Sequence, residues 1–394
     1  MTLPRAPLLS TILALAFAHA AMLNSGPAPA QVLIPNYNTP AVNLDALNNQ
    51  INILLTQIQG NPSPSQGSVV RLQLAVQQFT NILQLQSSVT KSILDAQKTI
   101  INNISSSCPV FVDRGTLLGE DSCVWTKVTG RRTDQFANGG LGFDDATYLL
   151  GGQKEFAPAW FIESAFGAGT TWMRAGGGDE SRTQNLEGSV ALKHTLGPWL
   201  FLGSIAAATS SSHISRLVSL QGANVLLQTD PSVVMAGGRL RAAYDFAFDG
   251  WYARPRMDFD LFRTQMSAFL DSDKSLLAPL QRGLGKVSVV ASPRVEFGAR
   301  YDLGPTTLRP YVDIGASFFS CDESRVDEGF AGTLAAIGRF QLQTSVKQPS
   351  ALGVVDLGIQ LYEVGGFEVK VEYNLKGAKE YLSEGGGLRV AYHF

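Results

Sequence analysis

From Cys123 to the carboxyl terminus the sequence alternates apolar and polar residues with a period of two, and charges gather on one face in segment after segment. Trp251, Ala253, Pro255, Met257, Phe259 and Leu261 alternate with Tyr252, Arg254, Arg256, Asp258, Asp260 and Phe262. Val295, Phe297, Ala299 and Tyr301 oppose Arg294, Glu296, Gly298 and Arg300, and Leu308, Val312, Ile314, Ala316 and Phe318 oppose Arg309, Asp313 and Ser317. Phe367, Val369, Val371 and Tyr373 oppose Glu368, Lys370, Glu372 and Asn374. The chain then ends on Leu388-Arg389-Val390-Ala391-Tyr392-His393-Phe394, with Leu388, Val390, Tyr392 and Phe394 on one side. A strand edge in water is usually blunted by charge or proline, and this one is not. A closed transmembrane barrel removes the edge and turns the charges inward, avoiding the roughly 2–4 kcal/mol that an Arg or Lys costs facing lipid at mid-depth.

A soluble sandwich also alternates, but its core needs no aromatic residues at strand ends. Here Trp160, Trp199 and Trp251 open strands just after the turn signals Ala157-Pro158, Gly197-Pro198 and Asp249-Gly250, as an interfacial girdle requires. Longer polar connections are expected at Gly176 to Arg182, Ser210 to Pro231, Asp271 to Gly285 and Ser320 to Gly338. Strands are predicted to begin near Cys123, Ala146, Trp160, Thr183, Trp199, Ser232, Trp251, Val287, Thr307, Leu352, Phe367 and Gly385. The expected fold is an all-β transmembrane barrel of about 12 antiparallel strands, preceded by an α-helical N-terminal segment. Arg239, Arg241, Arg254, Arg256, Asp258, Asp260, Arg294, Glu296, Arg309, Asp313, Glu368, Lys370, Glu372 and Arg389 are expected to line its lumen.

Composition agrees with this reading: 39 Gly and 21 Phe suit turns and strands, and only 16% of residues are charged. A net charge of −2 gives no reason to expect nucleic acid as a partner. Beyond the extreme N-terminus no run approaches the roughly 18 apolar residues of a membrane helix. Arg5 followed by the apolar run Leu8 to Ala18 reads as an export signal, with Ala18-His19-Ala20 or Ala28-Pro29-Ala30 as its exit. The predicted organisation is a signal peptide over 1–20, a short exported polar and helical segment with linker over 21–67, and a long helix over 68–107. A connector over 108–122 then leads into the barrel over 123–394. Asn43 caps the first helical pattern, and Gly60, Pro62 and Pro64 end it. In the second, Leu72, Ala75, Phe79, Ile82, Val89, Ile93, Ala96 and Ile100 form a narrow stripe on a surface of Gln, Asn, Ser and Thr. That helix would be ~55 Å long. Heptad spacing favours a stalk or oligomer contact through N-terminal helices, whereas scarce charge favours a helix lodged in a polar lumen.

Of the three cysteines, Cys108 and Cys123 are a candidate disulfide closing a loop of about 15 residues, worth roughly 3 kcal/mol on the chain-entropy model. Both as free small residues is the alternative, and Cys321 is unpaired in either case. No catalytic site is expected: among the histidines His19 leaves with the signal, His393 falls on the inward face of the last strand, and His194 and His213 match neither a zinc site nor a triad. Gly176-Gly177-Gly178 and Gly385-Gly386-Gly387 lack a P-loop lysine. No metal or cofactor is expected.

Cys123 to Phe394 resembles the autotransporter (type V secretion) β-domain family. The residues that carry the likeness are Trp125 and the Gly139-Gly140 to Asp144-Asp145 stretch leading into Thr147-Tyr148-Leu149-Leu150-Gly151-Gly152, followed by Phe161 to Gly169. Tyr392-His393-Phe394 resembles the signal that outer-membrane proteins present to the barrel-assembly machinery, with Tyr392 and Phe394 as its residues. The resemblance implies a twelve-stranded barrel in the bacterial outer membrane, in contact with its lipid, with a helix through the pore and an N-terminal passenger carried to the cell surface. It also implies passenger release at an Asn-Asn bond in some members, for which Asn102-Asn103 is the candidate here, with Asp258 or Asp260 as helpers. Only about 100 residues separate signal from barrel, with no strand repeat among them. The function expected is therefore translocation and anchoring of a short segment, or a non-secreting structural or pore-forming protein with a periplasmic helical stalk.

Overall fold

The computed structural model describes residues 107–394 apart from 137–140, 176–179, 221–222, 268, 271–278, 282–284, 321–322, 331–341, 348, 364 and 380. The signal peptide, both N-terminal helical patterns, Asn102-Asn103 and Cys321 lie outside the described residues. Twelve strands form a closed antiparallel path: β1 Cys123–Gln135, β2 Leu141–Ala157, β3 Trp160–Ala175, β4 Glu180–Leu196, β5 Trp199–Leu220, β6 Ser232–Tyr244, β7 Trp251–Met266, β8 Gly285–Ala299, β9 Thr306–Phe319, β10 Ala351–Glu363, β11 Phe367–Ala378 and β12 Tyr381–His393. Each pairs with its sequence neighbours, and β12 closes onto β1 from Tyr381↔Gln135 to His393↔Cys123. The ladder therefore has no open edge.

The alternation that built these strands leaves the apolar face outside. Phe166 is 71% exposed and Ile205 70%, whereas Lys193 and Glu368 are both 0% exposed. An inverted pattern of this kind is stable only where lipid covers the outer surface. Connections at one rim are short: Pro158-Ala159, Gly197-Pro198, 245–250, 300–305 and 364–366. Left-handed backbone recurs there, at Ala159 (φ 65°), Gly197 (φ 57°) and Gly250 (φ 77°), which lets antiparallel strands reverse tightly. The tryptophans that follow these turns are partly exposed and paired with other rings: Trp160 with His194 at 4.2 Å, Trp199 with Tyr244 at 4.8 Å and Trp251 with Phe248 at 4.1 Å.

Several predicted boundaries move. The connection placed at Ser210 to Pro231 is instead strand over most of its length. β5 runs on to Leu220 and pairs with Ala223–Thr229 through Ile214↔Thr229 to Leu220↔Ala223. The connection placed at Gly176 to Arg182 shrinks because β4 starts at Glu180, while β2 starts at Leu141 and β12 at Tyr381. All these extensions lie at the other rim, where a ladder no longer needs an apolar face and alternation carries no signal. The two longest connections there hold a further four-stranded sheet of Phe269–Leu270, Pro279–Gln281, Glu323–Phe330 and Leu342–Lys347.

Candidate functional site: the lumen and its short-turn mouth

The inward parity of β6 to β12 brings the predicted lumen charges together as ion pairs. Arg239 grips Asp260 through two nitrogens at 2.6 and 2.9 Å, and Arg241 grips Asp258 in the same way at 2.6 and 2.9 Å. The register explains both: Asp260 lies opposite Arg239 and Asp258 opposite Arg241. Arg254 pairs with Asp245, Arg256 with Asp313, and Arg294 bridges to Asp356 at 2.7 Å. Arg309 pairs with Glu296 and donates to Tyr252 Oη at 2.7 Å and to Gln360 at 2.5 Å. Glu372 holds Lys127 and, at 2.9 Å, Lys370, while Arg389 holds Glu368 at 2.6 Å. Buried charges persist when paired with good geometry, so this belt is rigid and has little net charge to select an ion by sign. Asp258 and Asp260, the predicted helpers of an Asn-Asn cleavage, each have both oxygens committed to an arginine.

The wall from β1 to β5 is different. Gly151, Ala165, Gly167, Ser189 and Ala191 take inward positions, and a Cβ at Gly151 would overlap the Trp125 ring. This side holds charges that the strand-by-strand reading missed. Lys193 is fully buried, 2.8 Å from Glu163 and 3.4 Å from Glu120. Parity was the available signal, because Glu163 shares its face with Ala165 and Gly167. Glu187 is buried above Gly167 with neither carboxylate oxygen hydrogen-bonded among the described residues, and Asn185 Oδ1 is likewise without a partner.

The segment read as a connector, 108–122, is a β-hairpin standing inside the short-turn mouth. Pro109–Phe111 pairs with Leu118–Glu120, and Asp113 (φ 53°) makes the turn, a left-handed position that Asp tolerates. Cys108 is disulfide-bonded to Cys123, the first residue of β1, with their Cα atoms 6.4 Å apart. Arg389 Nη2 lies 3.2 Å from Cys108 Sγ, and the two sulfurs sit in an apolar cluster with Trp125, Leu149, Ala165, Ala208 and Ala391.

From that anchor the hairpin reaches around the wall. Glu120 accepts hydrogen bonds from Gln153 Nε2 (3.0 Å) and the Cys108 N–H (3.2 Å). Tyr362 Oη donates to Pro109 O at 2.6 Å, and the Phe111 ring meets those of Tyr252 and Tyr362 edge-on. Thr116 Oγ1 donates to Phe248 O at 2.7 Å, and Arg300 Nη1 donates to the carbonyls of Asp113 and Gly115, both at 2.8 Å. His393 stands at the rim between Asp121 (3.1 Å) and Glu368 (2.9 Å). Outside the mouth Tyr392 and Phe394 face outward, Tyr392 against Phe367, and the Phe394 N–H donates to Ser122 O at 3.1 Å. Burial pushes the Glu120 carboxyl up. The charge of Lys193, the hydrogen bonds and the more distant Arg254 outweigh it and hold Glu120 below the usual carboxylate range.

A closed twelve-strand path, an apolar outer face and a salt-bridged lumen define an outer-membrane β-barrel of the translocator type. The autotransporter beta-domain family model matches residues 124–374, and the chain belongs to that family. Among solved structures it is similar to the translocator domain of the autotransporter NalP from Neisseria meningitidis, with TM-score 0.58 and 13% identity over 78% of this chain and 98% of that one. It is also similar to the beta domain of the Bordetella autotransporter BrkA, with TM-score 0.50 and 14% identity over 70% and 100%. At these identities the likeness establishes the fold. No curated protein matches the sequence.

Proposed function

We propose that this barrel is the translocation and anchoring unit for its own short N-terminal segment, with residues 68–107 threading the pore and 21–67 exposed at the surface. The observation that carries the reading is the position of Cys108. It is fully buried in the inner-wall cluster with Ala165 and Ala208, so the chain that precedes it starts from within the barrel. The unpartnered carboxylate of Glu187 and the Asn185 oxygen support the same reading. A segment rich in Gln, Asn, Ser and Thr supplies donors for such groups without adding charge to a lumen already paired. The short-turn rim is then periplasmic and the long-loop rim faces outward. The role assigned is transport and attachment, with no catalytic step. Exported, signal-cleaved chains would insert through the barrel-assembly machinery, Tyr392 and Phe394 serving as the recognised end.

Protease treatment of intact cells tests this reading. Cleavage within 31–67 is expected while the barrel stays intact. Complete protection of that segment, with digestion only after the outer membrane is opened, favours the periplasmic stalk instead.

A further inference from the structure

We infer that the hairpin 108–122 is a pore-closing plug in its own right, sealing the short-turn mouth independently of whatever occupies the lumen above it. A connector would need only its covalent link to β1. This segment is fixed at its base, its flank and its tip, each to a different part of the barrel circumference. The base is tied to β1 by Cys108–Cys123 and through Glu120 to Gln153 on β2. The flank meets β10, where Tyr362 donates to Pro109 O. The tip is held by Arg300 in the β8–β9 turn, on the carbonyls of Asp113 and Gly115, and Thr116 reaches the carbonyl of Phe248 in the β6–β7 turn.

The contacts are chemically specific for a closing function. Arg300 bonds main-chain carbonyls, so its grip depends on the hairpin's shape and survives changes of tip side chain. Its guanidinium also lies over the Phe111 ring at 5.2 Å, clamping tip and strand together. Phe111 projects from the hairpin toward Tyr252 and Tyr362 of the wall, placing an aromatic wedge beside the charged belt. A covalent base with a hydrogen-bonded tip is a hinged arrangement. Releasing the tip alone leaves the hairpin tethered in the mouth, and releasing tip, flank and base together frees it to swing out.

Ion conductance of the full-length protein in planar bilayers tests the inference, using three proteins whose folding is checked by heat-dependent gel mobility. Wild type is expected to conduct weakly. Arg300→Ala with Thr116→Ala, which keeps the disulfide, is expected to flicker between that level and a higher one. The same pair combined with Tyr362→Phe, Cys108→Ser and Cys123→Ser is expected to stay open, with conductance steadily above wild type even around a helix in the lumen. Conductance of the folded fivefold variant equal to wild type overturns the inference, because the closure then resides elsewhere. A wild-type level already equal to that of a wide-open pore overturns it from the other side.

Discussion

Arg389 lies with one guanidinium nitrogen 3.2 Å from the sulfur of Cys108, 281 residues earlier in the chain, while another holds Glu368 at 2.6 Å. The closing strand thus meets its neighbour β11 and the disulfide at the mouth through one side chain, stacked over the Trp125 ring at 5.6 Å. Replacing Arg389 by Leu leaves the buried Glu368 carboxylate with His393 as its remaining partner among the described residues, and a loss of about 2 kcal/mol in barrel stability is expected. Denaturant unfolding of the purified barrel measures it. A midpoint unchanged from wild type would show that the pair contributes nothing at closure.

The Arg241–Asp258 pair offers a cleaner reading of the lumen belt. Either Arg241→Met or Asp258→Leu alone is expected to cost roughly 3 kcal/mol, with the double change recovering most of that loss, since an apolar pair replaces an ion pair without leaving a charge unmatched. Additive losses in the double-mutant cycle would mean that the two residues do not act as a unit.

Glu120 predicts the pH response of the plug. Its carboxyl titrates below its unfolded value of 4.5, so the stability it lends the hairpin is fully present above that pH and is lost as pH falls through the lower folded value. The groups around it are Lys193 and Glu163 from the wall, Arg254 from β7, and Gln153, which stays neutral. Conductance is expected to rise on acidification below about pH 4.5 and to recover on return to neutrality. In Glu120→Gln the acid-dependent step should shrink. A full acid step persisting in that variant would assign it to another group.

Cys108 and Cys123 are both 0% exposed. A membrane-impermeant reductant followed by alkylation is expected to leave both unlabelled in the folded barrel and to label both once it is unfolded. Mass spectrometry of tryptic peptides reads this directly. Labelling of Cys108 in the folded protein would require a mouth more open than the one described.

Phe394 exposes its ring outside the barrel, and its backbone N–H donates to Ser122 O. Phe394→Ala should therefore leave the unfolding midpoint of refolded protein nearly unchanged while lowering the amount of barrel assembled in cells. Equal loss in both assays would make Phe394 a packing residue and remove the case for recognition.

Period-two alternation made the spanning parts legible, because each residue of a membrane strand has lipid on one side and lumen on the other. Parity alone placed Arg239 and Asp258 on the face where they are found. The signal failed where that constraint lapses. Ser210 to Leu220 leaves the lipid zone, so its polar residues read as a loop although the backbone ladder continues. The plug was hidden for another reason. Strands of three residues, Pro109–Phe111 and Leu118–Glu120, are too short to show a period, and their partners Tyr362 and Arg300 lie far along the chain. Glu163 and Lys193 share their inward faces with Ala165, Gly167 and Ala191, so no run of alternating charge marks that wall in the sequence.

The Cys108–Cys123 bond has a topological consequence for anything fused or carried ahead of it. It makes residues 108 to 123 a covalent ring, so a protease that nicks the hairpin at any point between the two cysteines does not detach what lies upstream. A cut before Cys108 detaches the upstream chain directly, whereas a cut inside the ring detaches it only if the disulfide, which no solvent reaches, is reduced as well. The barrel therefore holds whatever lies upstream by a double attachment, and detachment without reduction requires a cut in the chain ahead of the ring.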